Sequence, residues 1–296
     1  MTAAPGDPRA LPGLLPQQEP LAARKFALAI KRMADDLNYG LDPSRYRGSG
    51  IDYAQSRPYQ AGDAIKSIDW RVTARTGKVF VKEYDAQRRI AAWILIDTSA
   101  SMTVSSAARS KYELALHIGG GLALACLDAV RPVGVLGTGT RELRVEPTLQ
   151  KDRVLQWMLA LRRHSFAEPT QLVRRIAQLR PTLQSRTLVL VLSDLHEPDS
   201  ARALSLLAQQ HEVAVVWLQD PAEVSMRGAG FVRAQEAETG AALLTHGRRR
   251  QTDPTRIERQ LRQGGVDHLL VRTDEPFAHR LRHFFRARGG LTRAAR

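Results

Sequence analysis

Ile90-Ala-Ala-Trp-Ile-Leu-Ile96, running straight into Asp97-Thr-Ser-Ala-Ser101, decides how this chain is read. An unbroken apolar run with no polar alternation fits a strand covered on both faces. A second such run, Thr187-Leu-Val-Leu-Val-Leu192, leads into Ser193-Asp194. Between and after these two, strand and helix patterns alternate. Helices are expected at 107–129, 149–162, 171–179 and 199–210, and strands at 133–137, 141–146 and 212–218. Gly119-Gly120-Gly121 falls inside the first helix, where glycine is unfavourable unless the helix packs closely on the sheet. Further on, residues 230–245 read as a hairpin turning at Glu238-Thr239-Gly240. A helix at 254–262, a strand at 267–271 and a basic terminal helix from Pro276 complete the pattern. Alternation of this kind implies an α/β fold with a doubly wound, mostly parallel sheet of Rossmann type.

Upstream of Ile90 the character differs. Residues 1–20 carry prolines at 5, 8, 12, 16 and 20 and no apolar periodicity, so a disordered tail is expected. Leu21, Phe26, Ile30, Met33 and Leu37 form one apolar stripe on a helix. A polar, turn-rich stretch (38–77) and a strand candidate (78–84) follow. The expected organisation is therefore a tail, an N-terminal helix/hairpin segment over 21–89, and an α/β domain over 90–296.

Composition narrows the class. The chain has 296 residues and 44 Lys+Arg against 30 Asp+Glu, a formal charge of +14. That surface attracts acidic proteins, nucleic acid or anionic lipid. The single cysteine, Cys126, lies in an apolar stretch and reads as a core residue, which excludes an internal disulfide or a cysteine-cluster zinc site. No signal-peptide core and no apolar run of membrane-spanning length is present, so a cytoplasmic protein is expected.

Both buried strands end in a carboxylate, at the strand ends where ligands bind in such sheets. If the chain stays extended past Ile96, Asp97, Ser99 and Ser101 point the same way. One carboxylate and two hydroxyls suit a hard divalent cation with oxygen ligands, magnesium best, with manganese or calcium as alternatives. Asp194 is placed to add a second carboxylate and Thr170 another hydroxyl. The competing reading is that Ser and Asp here only form turns and cap a helix.

Ile94-Leu-Ile-Asp-Thr-Ser-Ala-Ser-Met102 resembles the metal-ion-dependent adhesion site of von Willebrand factor A domains. Tyr59-Gln-Ala-Gly-Asp-Ala-Ile-Lys-Ser-Ile-Asp-Trp-Arg-Val-Thr-Ala-Arg75 resembles the signature of the domain-of-unknown-function family fifty-eight, whose members pair it with an A-type domain. The resemblance implies that Asp97, Ser99, Ser101, Thr170 and Asp194 hold magnesium, that an acidic group of a partner completes the metal's shell, and that the chain is a protein-binding adaptor and not an enzyme. It also implies work beside a MoxR-type AAA+ ATPase in assembly or maturation of a client complex. The chain departs from the family at Glu168-Pro169, where glycines are usual before Thr170, and at Pro58, where an acidic residue is common.

Within the signature, one reading is a turn at Ala61-Gly-Asp and an Asp/Arg-pinned segment that docks Trp70. The other is a partner surface made by Trp70, Arg71 and Arg75. Two rival functions stand beside the adaptor. Arg248-Arg-Arg250 with Arg280, Arg282, Arg286 and Arg288 could neutralise nucleic-acid phosphates. A metal among carboxylates could activate water for phosphoester hydrolysis, although position 99 is Ser where an aspartate-based phosphatase wants a second Asp. Gly137-Thr-Gly-Thr140 is too short for a nucleotide loop. Ser193, Asp194 and His196 supply triad residue types, but neighbours along one loop rarely face each other, so they read as a metal ligand and loop polar groups. His117, His164, His211 and His279 show no metal-ligand spacing.

Overall fold

The computed structural model describes residues 20–38, 51–86, 90–103, 105–141, 143–162, 168–224, 231–235, 242–246 and 254–288. The chain divides into two units, one of residues 1–39 with 90–293 and the other chiefly of residues 40–89. Residues 1–19 of the tail expected over 1–20, the Glu238-Thr239-Gly240 turn, Arg248-Arg-Arg250 and His164 lie outside the described residues, while Pro20 opens the first helix.

In the larger unit, β3 (Ala92–Ile96), β4 (Val133–Gly137), β5 (Arg144–Thr148), β6 (Leu188–Ser193), β7 (Glu212–Gln219) and β10 (Asp267–Arg272) form one sheet, ordered β10-β7-β6-β3-β4-β5. All neighbours are parallel except β4 and β5. The apolar runs that announced β3 and β6 are buried on both sides, and the pleat sends alternate residues to opposite faces. Ile94, Ile96, Leu190, Leu192 and Val216 join a core with α1 (Pro20–Asn38), α3 (Lys111–Asp128), α4 (Lys151–Arg162) and α9 (Ala278–Ala287). Trp93, Leu95, Val189, Val191, Val215 and Trp217 face α5 (Leu172–Leu179), α6 (Ser200–Ala208) and α8 (Pro254–Gln263) on the other side. Each such side chain contributes about 1.5–3 kcal/mol when removed from water. The doubly wound, mostly parallel α/β sheet is thus present. The short α7 (Pro221–Val224) follows β7, and β8 (Phe231–Gln235) pairs antiparallel with β9 (Ala242–His246) as the expected hairpin.

The three glycines of α3 divide their work. A Cβ at Gly119 would press on Ile96 Cδ1 of the sheet at 3.2 Å, whereas one at Gly120 or Gly121 would overlap Ile30 or Met33 of α1. α3 is therefore sandwiched, and close packing on the sheet accounts for only one glycine of the run. The apolar stripe of α1 buries Phe26, Ile30, Ala34 and Leu37 against it. α1 thus belongs with the sheet body and not with the segment downstream of it. Arg282 of α9 donates to the Asp36 carbonyl at 2.7 Å. Phe285 is buried, with Phe284 packed beside the same core, so the terminal phenylalanines seat α9 on the sheet. Cys126 is buried, and that burial pushes its thiol pKa up to about 12. Among the described residues no helix is long and apolar enough to cross a membrane.

In the smaller unit β1 (Ile51–Pro58) pairs antiparallel with β2 (Phe80–Ala86). The stretch read as turn-rich therefore holds a strand and also a short helix, α2 (Trp70–Thr76). β1 escapes a pattern reading because Asp, Gln, Ser and Arg interrupt its alternation. Arg57 grips Asp63 through two bonds of 2.7 and 2.8 Å, and Gly62 takes the φ of 111° that the intervening turn requires. Asp69 caps α2, accepting from Arg71 N (3.1 Å) and Val72 N (3.3 Å), while Ser56 Oγ donates to it at 2.7 Å. The aspartates that pin the segment thus pair with Arg57 and with backbone amides. Trp70 is 67% exposed, and Arg71 and Arg75 are exposed beside it.

Candidate metal centre

The chain order around β3 fixes where a site can form. From β3 the chain goes to β4 and β5 on one side, then crosses back to β6 on the other. The strand order therefore reverses between β3 and β6, and the crevice at their carboxyl ends is the binding position of such sheets. Asp97 follows the last residue of β3, and Asp194 the last of β6.

Asp97 is buried, 1% exposed, and gathers hydroxyl and amide groups around itself. Ser99 N donates to Oδ1 at 3.1 Å, Ser193 Oγ to Oδ2 at 2.6 Å, and Thr170 Oγ1 reaches Oδ2 at 3.4 Å. Ser99 Oγ and Ser101 Oγ are 3.0 Å apart. Asp97, Ser99, Ser101 and Thr170 are thus brought together. Burial, followed by the negative charge of Asp194, pushes the Asp97 carboxyl up to about 6. A carboxylate raised by burial and by a neighbouring negative charge is stabilised as an anion by a nearby cation.

Asp194, also 1% exposed, is engaged elsewhere as well. Its Oδ2 accepts from Lys111 Nζ at 2.6 Å and lies 3.0 Å from His196 Nδ1. Burial alone would raise its pKa, but His196 and Lys111 together hold it well below the usual carboxylate range. Lys111 is wholly buried and forms a second ion pair with Glu223 of α7. Ligand atoms of Asp194, His196 and Glu223 lie within 4.8 Å of one another, with the Lys111 ammonium paired to both acids. The reading that Ser193, Asp194 and His196 do not face one another is corrected for the last two. Ser193 Oγ turns away instead, between Asp97 and Leu195 N (3.0 Å).

Three loops are tied into one scaffold by Glu168, 4% exposed. Its carboxylate accepts from Thr98 Oγ1 (3.0 Å), Thr140 Oγ1 (2.6 Å) and Arg141 N (3.0 Å), and its carbonyl from Ala100 N (2.9 Å). Arg175 adds bonds to the carbonyls of Gly139, Thr140 and Arg141. Gly139 N donates to Thr98 Oγ1 at 3.0 Å, and a Cβ there would overlap the Glu168 carboxylate. Gly137-Thr-Gly-Thr140 is therefore a strap beside the site. Glu168 stands where glycines were expected and braces the loops of Thr98 and Thr140.

Lys111, Glu223, Glu168 and Ser193 have no part in the oxygen-donor set read from the sequence. Lys111 gives a faint signal, as the charged residue directly after the Ser110 cap of an otherwise apolar helix. Glu223 gives none, because the lysine it pairs with lies 112 residues away. Of the lone histidines, His117 stacks against Phe26 at 5.3 Å between ring centres, inside the helix packing.

The oxygen donors fit a hard divalent cation: Asp97, Ser99, Ser101 and Thr170 converge, and Asp194 adjoins them. Comparison with known proteins names no activity. Uncharacterized proteins from Mycobacterium bovis and from two strains of Mycobacterium tuberculosis are 28% identical to the chain over 294 positions, covering 91% of it and 90% of each relative. Residues 55–264, which take in the whole signature (59–75) and every residue of the site described above, match the model of DUF58, a protein of unknown function, and the chain belongs to that family.

Proposed function

We propose that this chain is a magnesium-dependent protein-binding module of von Willebrand factor A type, an adaptor without catalysis of its own. The observation that carries the reading is the convergence of Asp97, Ser99, Ser101 and Thr170, with Asp194 alongside, in the crevice between β3 and β6. Those five residues would hold the ion. When bound, magnesium supplies a Lewis-acidic position that accepts a carboxylate from a partner. The chain's own groups do the rest. Glu168 and Arg175 hold the three loops in register, Ser193 orients Asp97, and Lys111 with His196 orients Asp194. The excess positive charge steers an acidic partner toward the crevice.

From the resemblance we take a MoxR-type AAA+ ATPase, or an acidic client matured with it, as the partner class. Exposed Trp70, Arg71 and Arg75 offer a second contact surface of the residue types that anchor interfaces. The nucleic-acid alternative loses support because three of the tail arginines are engaged. Arg280 bonds Glu275 (3.2 Å) and the Leu270 carbonyl, Arg282 bonds Asp36, and Arg288 bonds Asp267 (2.7 Å). Phosphoester hydrolysis remains the alternative that shares the metal.

The test is recovery of partners from native extract by the immobilised chain, with magnesium or with chelator, comparing wild type with Asp97→Ala. An acidic ATPase or its client, retained by wild type in magnesium and lost in both other conditions, is the expected result. Equal recovery in all conditions overturns the reading.

A further inference from the structure

At the amino ends of the same strands, on the far side of the sheet from Asp97, lies a cavity of about 210 Å³. Arg131, Arg186 and Arg288 line it together with His211, Glu212, Asp267 and Phe285. Part of this charge is explained by the fold. Helices α3, α6 and α8 end here, and helix C-termini favour cations. Arg186 faces Glu212 at 3.3 Å, and Arg288 faces Asp267 at 2.7 Å. The lining thus carries three guanidinium groups and two carboxylates, and Arg131 is only 6% exposed.

His211 has no such explanation. It is 7% exposed, and neither ring nitrogen has a partner within hydrogen-bonding geometry. The Ser185 carbonyl beside the ring favours its protonated form and also accepts from Thr187 Oγ1 at 2.8 Å. A buried imidazole without partners loses about 1–3 kcal/mol, so this ring is built to meet something in the cavity. The available donors, planar guanidinium forks and an imidazole N–H approaching from different strands, match a tetrahedral oxyanion with several acceptors. The volume is below that of pockets for drug-sized molecules.

We infer that the amino end of the sheet carries a binding site for a small phosphoanion, inorganic phosphate or pyrophosphate, held by His211, Arg131 and Arg186. Nothing in the proposed metal centre contributes to it, so the two sites stand or fall separately.

The test is calorimetric titration of the full chain with phosphate and with pyrophosphate, in phosphate-free buffer containing chelator. Wild type should bind one anion per chain, saturably. His211→Leu and Arg186→Ala should each weaken binding by about tenfold or more with unchanged melting temperature in anion-free buffer, and Asp97→Ala should bind as wild type does. Should His211→Leu fail to fold, Arg186→Ala, at a side chain 55% exposed, carries the test alone. No saturable binding by wild type overturns the inference. So does wild-type affinity in both cavity variants, and so does loss confined to Asp97→Ala.

Discussion

Around Asp97, side chains far apart in sequence meet: Thr98 with Glu168, Asp97 with Ser193, Lys111 with Asp194 and Glu223, at separations of 70 to 112 residues. In the 51–86 segment the pins are local, Arg57 to Asp63 and Ser56 to Asp69, 6 and 13 residues apart. The first region is dry, with Asp97, Ser99 and Asp194 at most 1% exposed, while the second leaves Trp70 and Ile65 at 67% and 73%. Burial makes each charge in the first region depend on its partners, because an unpaired buried ion costs several kcal/mol. Partial exposure makes the Arg57–Asp63 pin in the second matter less. The difference predicts how the two regions respond to substitution.

The largest effect should come from Lys111→Met. It leaves Asp194 and Glu223 without their shared cation, at a cost of about 3–5 kcal/mol, read by denaturant unfolding in chelator. Added magnesium should recover more stability in this variant than in wild type. A variant as stable as wild type in chelator would mean the ion pairs are not what holds the loops. Gly139→Ala comes next, since its Cβ must displace the Glu168 carboxylate. About 1–3 kcal/mol is expected from such overpacking, and an unchanged melting temperature would show that the strap is loose.

In the local region acid should act first. The Arg57 guanidinium, with the Gln60 amide, holds the Asp63 carboxyl down to about 2, against an ordinary value of 3.8. Its folded-state pKa is depressed, so its contribution is present above the ordinary value and is lost as pH falls toward 2. Carboxyl NMR titration should find Asp63 near that value and Arg57→Ala should return it toward normal. The smallest effect is expected of Trp70→Ala, within about 0.5 kcal/mol because the ring is exposed. If this variant unfolds the chain, Trp70 is a packing residue after all.

The same contrast explains what the sequence discloses. β3, β6 and the alternation around them are legible because full burial leaves its mark residue by residue, and the two aspartates at the strand ends follow from where those runs stop. Glycines 119–121 announce close packing but not which neighbour, since Ile30 and Met33 of α1 lie 90 and 88 residues upstream of Gly120 and Gly121. Glu168 could be seen only as a departure from an expected glycine. Its role as a strut needs Thr98 and Thr140 in place. Lys111 shows in the sequence only as a charge opening an apolar helix, and no local spacing encodes its partners, Asp194 after β6 and Glu223 on α7. β1 and α2 are missed for the opposite reason, having too little buried apolar surface to impose a period.

The central claim, that Asp97 and its neighbours form a divalent-cation site, is tested most directly by manganese binding followed by electron paramagnetic resonance, with magnesium as competitor. Wild type should take up one manganese ion that magnesium displaces. Asp97→Ala should lose affinity by more than the roughly 10–100-fold that removal of an outer-shell group costs, while His211→Leu binds normally. Absence of binding in wild type, or equal binding in Asp97→Ala, would contradict the account.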